Sequence, residues 1–135
     1  MIYIKVEKTD LIDENTFTLA QGRAWFDGRV LKYAETAPDL GLDTVELRQG
    51  EILLMHKGDT ESIIVLKEEG TGSAELNTPF GSLSFTTKLL EFEQSTDNMT
   101  IAYELLVDGE VISRFRLKYD ITERAGGPGF GRKPC

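Results

Sequence analysis

The chain holds one cysteine, Cys135, at its last position. A lone thiol builds neither a disulfide framework nor a thiolate metal site, and no Cys/His spacing of the metal-ligating kind occurs. Histidine is equally scarce: His56 stands alone. Nowhere do about 18 apolar residues run together, which excludes a membrane-spanning helix. The first residues, MIYIKVE, alternate like a strand and lack the basic region and apolar run of a secretory leader. Cys135, with nothing after it, does not fit a prenylation box. These absences lead us to expect a cytoplasmic protein. Positive charge is also short, with 15 basic against 23 acidic residues and a net charge of -8. Such a chain repels phosphate backbones and acidic lipid surfaces, so neither nucleic acid nor membrane is an expected partner.

The dominant pattern has period two. Ile2, Ile4 and Val6 alternate with Tyr3, Lys5 and Glu7, and similar alternation fills residues 99–107 and 111–122. This is the signature of strands with one buried face. No window carries a helical stripe, and residues 36–41, with Pro38, Asp39 and Gly41, have room for one helical turn at most. Turn signals recur at strand-length intervals, among them Asp27-Gly28, Gln49-Gly50, Lys57-Gly58-Asp59 and Asp108-Gly109. They divide the chain into about ten strand candidates, at 2–8, 16–26, 29–36, 43–48, 51–57, 61–67, 72–78, 82–94, 98–107 and 110–123. Short connections favour hairpin after hairpin, and closing such a meander removes its exposed edges. The expected fold is an all-β, single-domain, antiparallel up-and-down barrel over residues 1–123. Residues 124–135, RAGGPGFGRKPC, have no periodicity and read as a mobile tail.

Parity sets the expected pairing of two hairpins. A two-residue loop at Asp108-Gly109 would lay Tyr103 and Ile101 on Arg114 and Arg116. A three-residue bulged loop, Val107-Asp108-Gly109, instead pairs Leu105 with Val111, Ile101 with Phe115 and Met99 with Leu117. At Asp27-Gly28 a two-residue loop would oppose Arg23 and Lys32, which is unfavourable. The bulged alternative pairs Arg23 with Leu31, Gln21 with Tyr33 and Leu19 with Glu35.

Thr78-Pro79-Phe80-Gly81 ends one strand and turns into the next. Pro79 has no N–H to give a paired strand, and Gly81 accepts positive φ. NTPFGSLSFTTK resembles the Thr-Pro-aromatic-Gly corner of the YwiB-like family, an uncharacterised bacterial family. LKYAE (residues 31–35) resembles its Tyr-x-Glu strand. TVELRQGEILLMHKG (44–58) resembles its central strand-turn-strand, and IAYELLVDGEVISRFRLKYDI (101–121) its closing hairpin. The resemblance covers roughly residues 1–123 and implies a lipocalin-like, calycin-type barrel. It implies no activity, substrate or catalytic residue. Barrels of this class often hold one small apolar ligand.

By the bulged pairing, Gln21, Arg23, Tyr33 and Glu35 share one face of a hairpin with Trp25, Leu19 and Leu31. A few polar groups on an apolar wall suit a small oriented ligand, with Arg23 for an anionic group and Trp25 for stacking. The alternative makes this an outer face with an Arg–Glu pair, and makes Ala20, Gly22, Ala24, Phe26, Val30 and Ala34 the interior. Which face points inward stays open. His56 shares a face with Ile52 and Leu54 but reads as a rim residue before Lys57-Gly58. No cofactor and no metal site is assigned. Carboxylates sit at turns and on polar faces, Gly-x-Ser-x-Gly is absent, and no catalytic residue is assigned. Residues 114–135 carry +4 against -12 for the rest. Arg114, Arg116 and Lys118 there form a basic outer stripe, a solvated face or an anion patch. The leading function is a cytoplasmic barrel binding a small, partly apolar or anionic molecule. The alternative is a filled barrel acting through its surface or as a homodimer, and an enzyme ranks third.

Overall fold

Alternation in the sequence becomes alternation of inward and outward side chains in ten strands. The computed structural model describes residues 2–36 and 40–123. Pro38, Asp39 and the segment 124–135 lie outside the described residues. The strands are β1 (Ile2–Asp10), β2 (Asn15–Phe26), β3 (Val30–Ala34), β4 (Leu42–Arg48), β5 (Glu51–Lys57), β6 (Glu61–Lys67), β7 (Gly72–Thr78), β8 (Gly81–Gln94), β9 (Asn98–Val107) and β10 (Glu110–Glu123). Each expected segment is there, with ends shifted by no more than two residues. Every strand pairs antiparallel with its neighbours in sequence, and β1 pairs with β10 from Ile2↔Glu123 to Asp10↔Phe115. The sheet is a closed barrel without an edge. Among the described residues no helix is long and apolar enough to cross a membrane.

The core is the barrel interior. Ile4 and Val6 of β1, Leu31 and Tyr33 of β3, Val45 of β4 and Ile52 and Leu54 of β5 meet Leu66, Met99, Ile101, Tyr103, Leu117 and Tyr119 from the opposite wall. Gly72 lets β7 start close against β6. A methyl on its Cα would lie 2.0 Å from the Val65 carbonyl oxygen and 2.7 Å from Thr87 Oγ1. The Thr87 hydroxyl donates to that same carbonyl at 2.6 Å.

The turns bear out one local expectation and correct two. Thr78-Pro79-Phe80-Gly81 is a tight hairpin in which Thr78 pairs with Gly81. Thr78 Oγ1 accepts the Phe80 N–H at 3.1 Å and donates to the Gly81 carbonyl at 2.9 Å. The β9–β10 turn is the two-residue Asp108-Gly109, with φ of 51° and 81°, the mirror-image turn whose twist matches the strands. The bulge lies in β10 instead, between Val111 and Ser113. It restores apolar-on-apolar parity, so Phe115 pairs with Tyr103, Leu117 with Ile101 and Tyr119 with Met99. The pairs Leu105–Val111, Ile101–Phe115 and Met99–Leu117 do not form.

The β2–β3 ladder ends at Phe26↔Leu31, which leaves the four residues Asp27 to Val30 in the turn between paired positions, Val30 pairing only with β4. Asp27 Oδ1 accepts the N–H groups of Arg29 and Val30, both at 2.8 Å, and organises the turn. The result is Ala24↔Tyr33 and Trp25↔Lys32 in place of Arg23–Leu31, Gln21–Tyr33 and Leu19–Glu35.

Candidate functional site

Three consecutive strands carry an inward polar residue at the same end of the barrel. The inward series of β3 is Leu31 and Tyr33, and Glu35 continues it just past the strand. Asp43 precedes the inward Val45 of β4, and His56 follows Ile52 and Leu54 of β5. Register fixes their neighbours: Tyr33 faces Asp43, and Asp43 faces His56. The Glu35 N–H donates to the Gly41 carbonyl at 2.8 Å, which ties Glu35 to the start of β4. Gly41 leaves room for the Lys57 carbonyl, whose oxygen would lie 2.7 Å from a methyl there, and for the His56 ring. A methyl there would lie 2.8 Å from its Cε1.

His56 Nδ1 lies 2.5 Å from Asp43 Oδ1 and 2.9 Å from Glu35 Oε2. The three side chains are only 13%, 8% and 9% exposed, in the order His56, Asp43, Glu35. Two carboxylates this close in a desolvated corner do not both ionise readily. Burial, reinforced by the hydrogen bond and charge of Asp43, pushes the Glu35 carboxyl up to about 8 against the pull of His56 and Lys8.

Lys8 faces this group from β1, on the same inward face as Ile4 and Val6. Burial lowers its ammonium, opposed by the charges of Glu35, Asp43 and Asp10. Its Nζ stands 4.2 Å from the centre of the Phe115 ring. Among the described residues no carboxylate comes within 4 Å of it.

Three tyrosines form the inner wall. Burial raises the hydroxyls of Tyr33, Tyr103 and Tyr119 above the usual phenol range, so all three stay neutral near neutral pH. Tyr33 and Tyr119 meet edge to face, with ring centres 6.2 Å apart. The Tyr119 hydroxyl is buried and finds no hydrogen-bond partner among the described residues. The Tyr33 and Tyr119 hydroxyls are close enough to shift each other's titration as a weak hydrogen bond would, but no bond of ordinary geometry joins them.

These groups line an open-mouthed cavity of about 260 Å³. Lys8, Glu35, Asp43, His56 and the tyrosines supply its polar part. Leu19, Val45, Leu54, Ile64, Leu76 and Leu117 supply the apolar part. The cavity lies toward the barrel end that carries the β1–β2, β3–β4, β5–β6, β7–β8 and β9–β10 connections.

The structure divides the five residues singled out from the sequence. Tyr33 and Glu35 point inward and line the cavity. Gln21, Arg23 and Trp25 point outward and are exposed, with Lys32 Nζ 5.8 Å from the centre of the Trp25 ring. The four-residue turn causes the split, because it offsets the pairing that would have gathered all five on one face. The interior face of β2 is Ala20, Gly22, Ala24 and Phe26.

Lys8, Asp43, His56 and Tyr119 escaped the sequence reading as a site. Lys8, Asp43 and His56 each left a signal, a polar residue continuing an inward apolar series toward a strand end, whereas Tyr119 lies within β10. His56 joins a three-member cluster with Glu35 and Asp43, a grouping not visible in sequence spacing. The basic stripe is largely paired. Arg114 holds Glu104 at 2.6 and 2.8 Å, and Arg116 Nε lies 3.3 Å from Glu91 Oε1.

The fold is similar to the crystal structure of the ywiB protein from Bacillus subtilis. The TM-score is 0.65 at 20% identity, over 88% of this chain and 89% of that one. No curated protein matches the sequence. The sequence profile described as Domain of unknown function (DUF1934) matches residues 3–118, nearly the whole barrel, and the chain belongs to that family.

Proposed function

We propose that this protein is a binding barrel for a small, partly apolar molecule with a hydrogen-bond-accepting or anionic head. The observation that carries the proposal is the buried Tyr119 hydroxyl, unpaired among the described residues, on the wall of a cavity that also holds the Lys8 ammonium. An unpaired buried hydroxyl costs about 1–3 kcal/mol. A ligand that accepts from it recovers that cost. The Leu54, Ile64 and Leu117 wall takes the apolar part, and Lys8 takes an anionic head. At about 260 Å³ the cavity suits a ligand smaller than drug-sized. The single cysteine and the absence of a disulfide framework support placing this role in the cytoplasm.

The test is the native mass of the protein purified from its own cells, set against the denatured mass. It is followed by amide shift mapping with a library of small carboxylates and phenols. The proposal expects an adduct lost on denaturation, or shifts concentrated on the strands lining the cavity. A bare chain together with no shifts at those strands would sink it.

A second reading, action through the surface or as a homodimer, is favoured by apolar residues around the same barrel end. Phe80 is 99%, Leu40 75% and Leu42 65% exposed. Light scattering during size exclusion decides it: a strictly monomeric chain at high concentration removes the homodimer.

A further inference from the structure

We propose that Glu35, Asp43 and His56 form a binding site for one divalent first-row metal ion, open toward the barrel cavity. The inference shares the cavity and the Tyr119 hydroxyl with the small-molecule reading, but an ion can bind there without an organic ligand. One ligand atom from each residue lies within 4.8 Å of the others. Two carboxylate oxygens and one imidazole nitrogen make a mixed set that suits zinc, iron or manganese better than a purely oxygen-ligated ion.

The donors are placed by the fold. Asp43 and His56 face each other across the β4–β5 ladder, and Glu35 is tied to Gly41 by its backbone. Little chain entropy remains to be lost when an ion binds. Charge argues the same way. With both carboxylates ionised and the imidazole neutral, the cluster carries two negative charges in a corner nearly closed to water, a state that is costly without compensation. A divalent cation would supply that compensation. Lys8 on β1 is the nearest ammonium but forms no ion pair within 4 Å among the described residues. Tyr33, Tyr103 and Tyr119 face the cluster from β3, β9 and β10 as neutral groups.

Tyr119 gives an independent indication. Three protein donors leave coordination positions for water or a ligand atom. Such a group would enter the cavity lined by Tyr119, whose hydroxyl is buried and unpaired among the described residues. A group bound at such a position would share the cavity with the Tyr119 hydroxyl.

The experiment uses the untagged full chain carrying Cys135→Ser, which removes the one thiol. After chelator treatment it is titrated calorimetrically with zinc and with manganese chloride. The expected result is one ion per chain. Asp43→Asn and Glu35→Gln, checked for folding by circular dichroism, should each weaken binding by more than the roughly tenfold cost of losing an outer-shell partner. Glu91→Gln on the outer wall should change nothing. Absence of one-to-one binding for both metals in the parent chain overturns the inference. So does binding that survives both substitutions. If the variants fail to fold, manganese broadening of ring signals in the parent chain decides. Loss of Tyr33 and Tyr119 signals first supports the site, and loss elsewhere first overturns it.

Discussion

Tyr119→Phe tests the site from its most unusual atom. The Tyr119 side chain is 1% exposed, and its hydroxyl finds no partner among the described residues. Burying an unpaired hydroxyl costs about 1–3 kcal/mol relative to a paired one. Phenylalanine keeps the ring, and with it the edge-to-face contact with Tyr33. It gives up only the dispersion contacts of one oxygen atom. The expected balance is a gain of about 1 kcal/mol in the ligand-free, metal-free protein. For a barrel of this size that raises the melting temperature by about 3 °C. The assay is urea unfolding followed by far-ultraviolet circular dichroism. Trp25 is a poor reporter because it lies half-exposed on the outer face. The same substitution should weaken any ligand that accepts from the hydroxyl. A loss of 1 kcal/mol or more on Tyr119→Phe would refute the reasoning, since it would show that the hydroxyl is paired within the fold. The site would then lose its strongest support.

Three further outcomes follow from named contacts. Glu35 has a folded pKa of about 8 against an ordinary value of 4.5, so the folded state binds the extra proton between these limits. Its contribution to stability is complete below about 4.5 and is lost as pH rises through about 8. In chelator-treated buffer the urea midpoint should therefore fall between pH 6 and pH 9, and Glu35→Gln should flatten that slope; parallel slopes would contradict the assignment. Gly72→Ala places a methyl 2.0 Å from the Val65 carbonyl oxygen, so the β6–β7 ladder must move, at a cost of roughly 3 kcal/mol measured by chemical denaturation. A cost under about 1 kcal/mol would mean that the strands separate easily there. Glu104→Gln removes the negative charge that faces the doubly bonded Arg114, and because that arginine is 40% exposed the expected loss is only about 1 kcal/mol, shrinking with added salt. A salt-independent loss would point to packing rather than charge.

The sequence announced this fold through the spacing of its turns and its period of two. All ten strands follow from those signals, because each strand buries one face and each turn needs residues such as Gly, Asp or Pro. Two members of the candidate site were also legible. Tyr33 and Glu35 were singled out, and they do line the cavity. Grouping Arg23, Gln21 and Trp25 with them requires a three-residue loop at Asp27-Gly28. The Asp27 carboxylate caps two N–H groups and holds a four-residue connection instead, and that choice is made by local hydrogen bonds that parity alone does not register. At Asp108-Gly109 parity correctly demanded an extra residue, but the strand absorbed it near Ile112 while the turn kept its preferred two-residue form.

What the sequence determined by itself is therefore the class of fold, the strand order and the absence of a disulfide scaffold, all of which depend on local pattern and composition. What only the tertiary structure decided is which polar residues meet. Glu35, Asp43 and His56 lie on three different segments, and Lys8 and Tyr119 on two more. Their convergence depends on ladder register and on closure of β1 against β10. A shift of one residue in any of those ladders would turn a strand's inward side chains to solvent, so the site exists only once the whole barrel has closed.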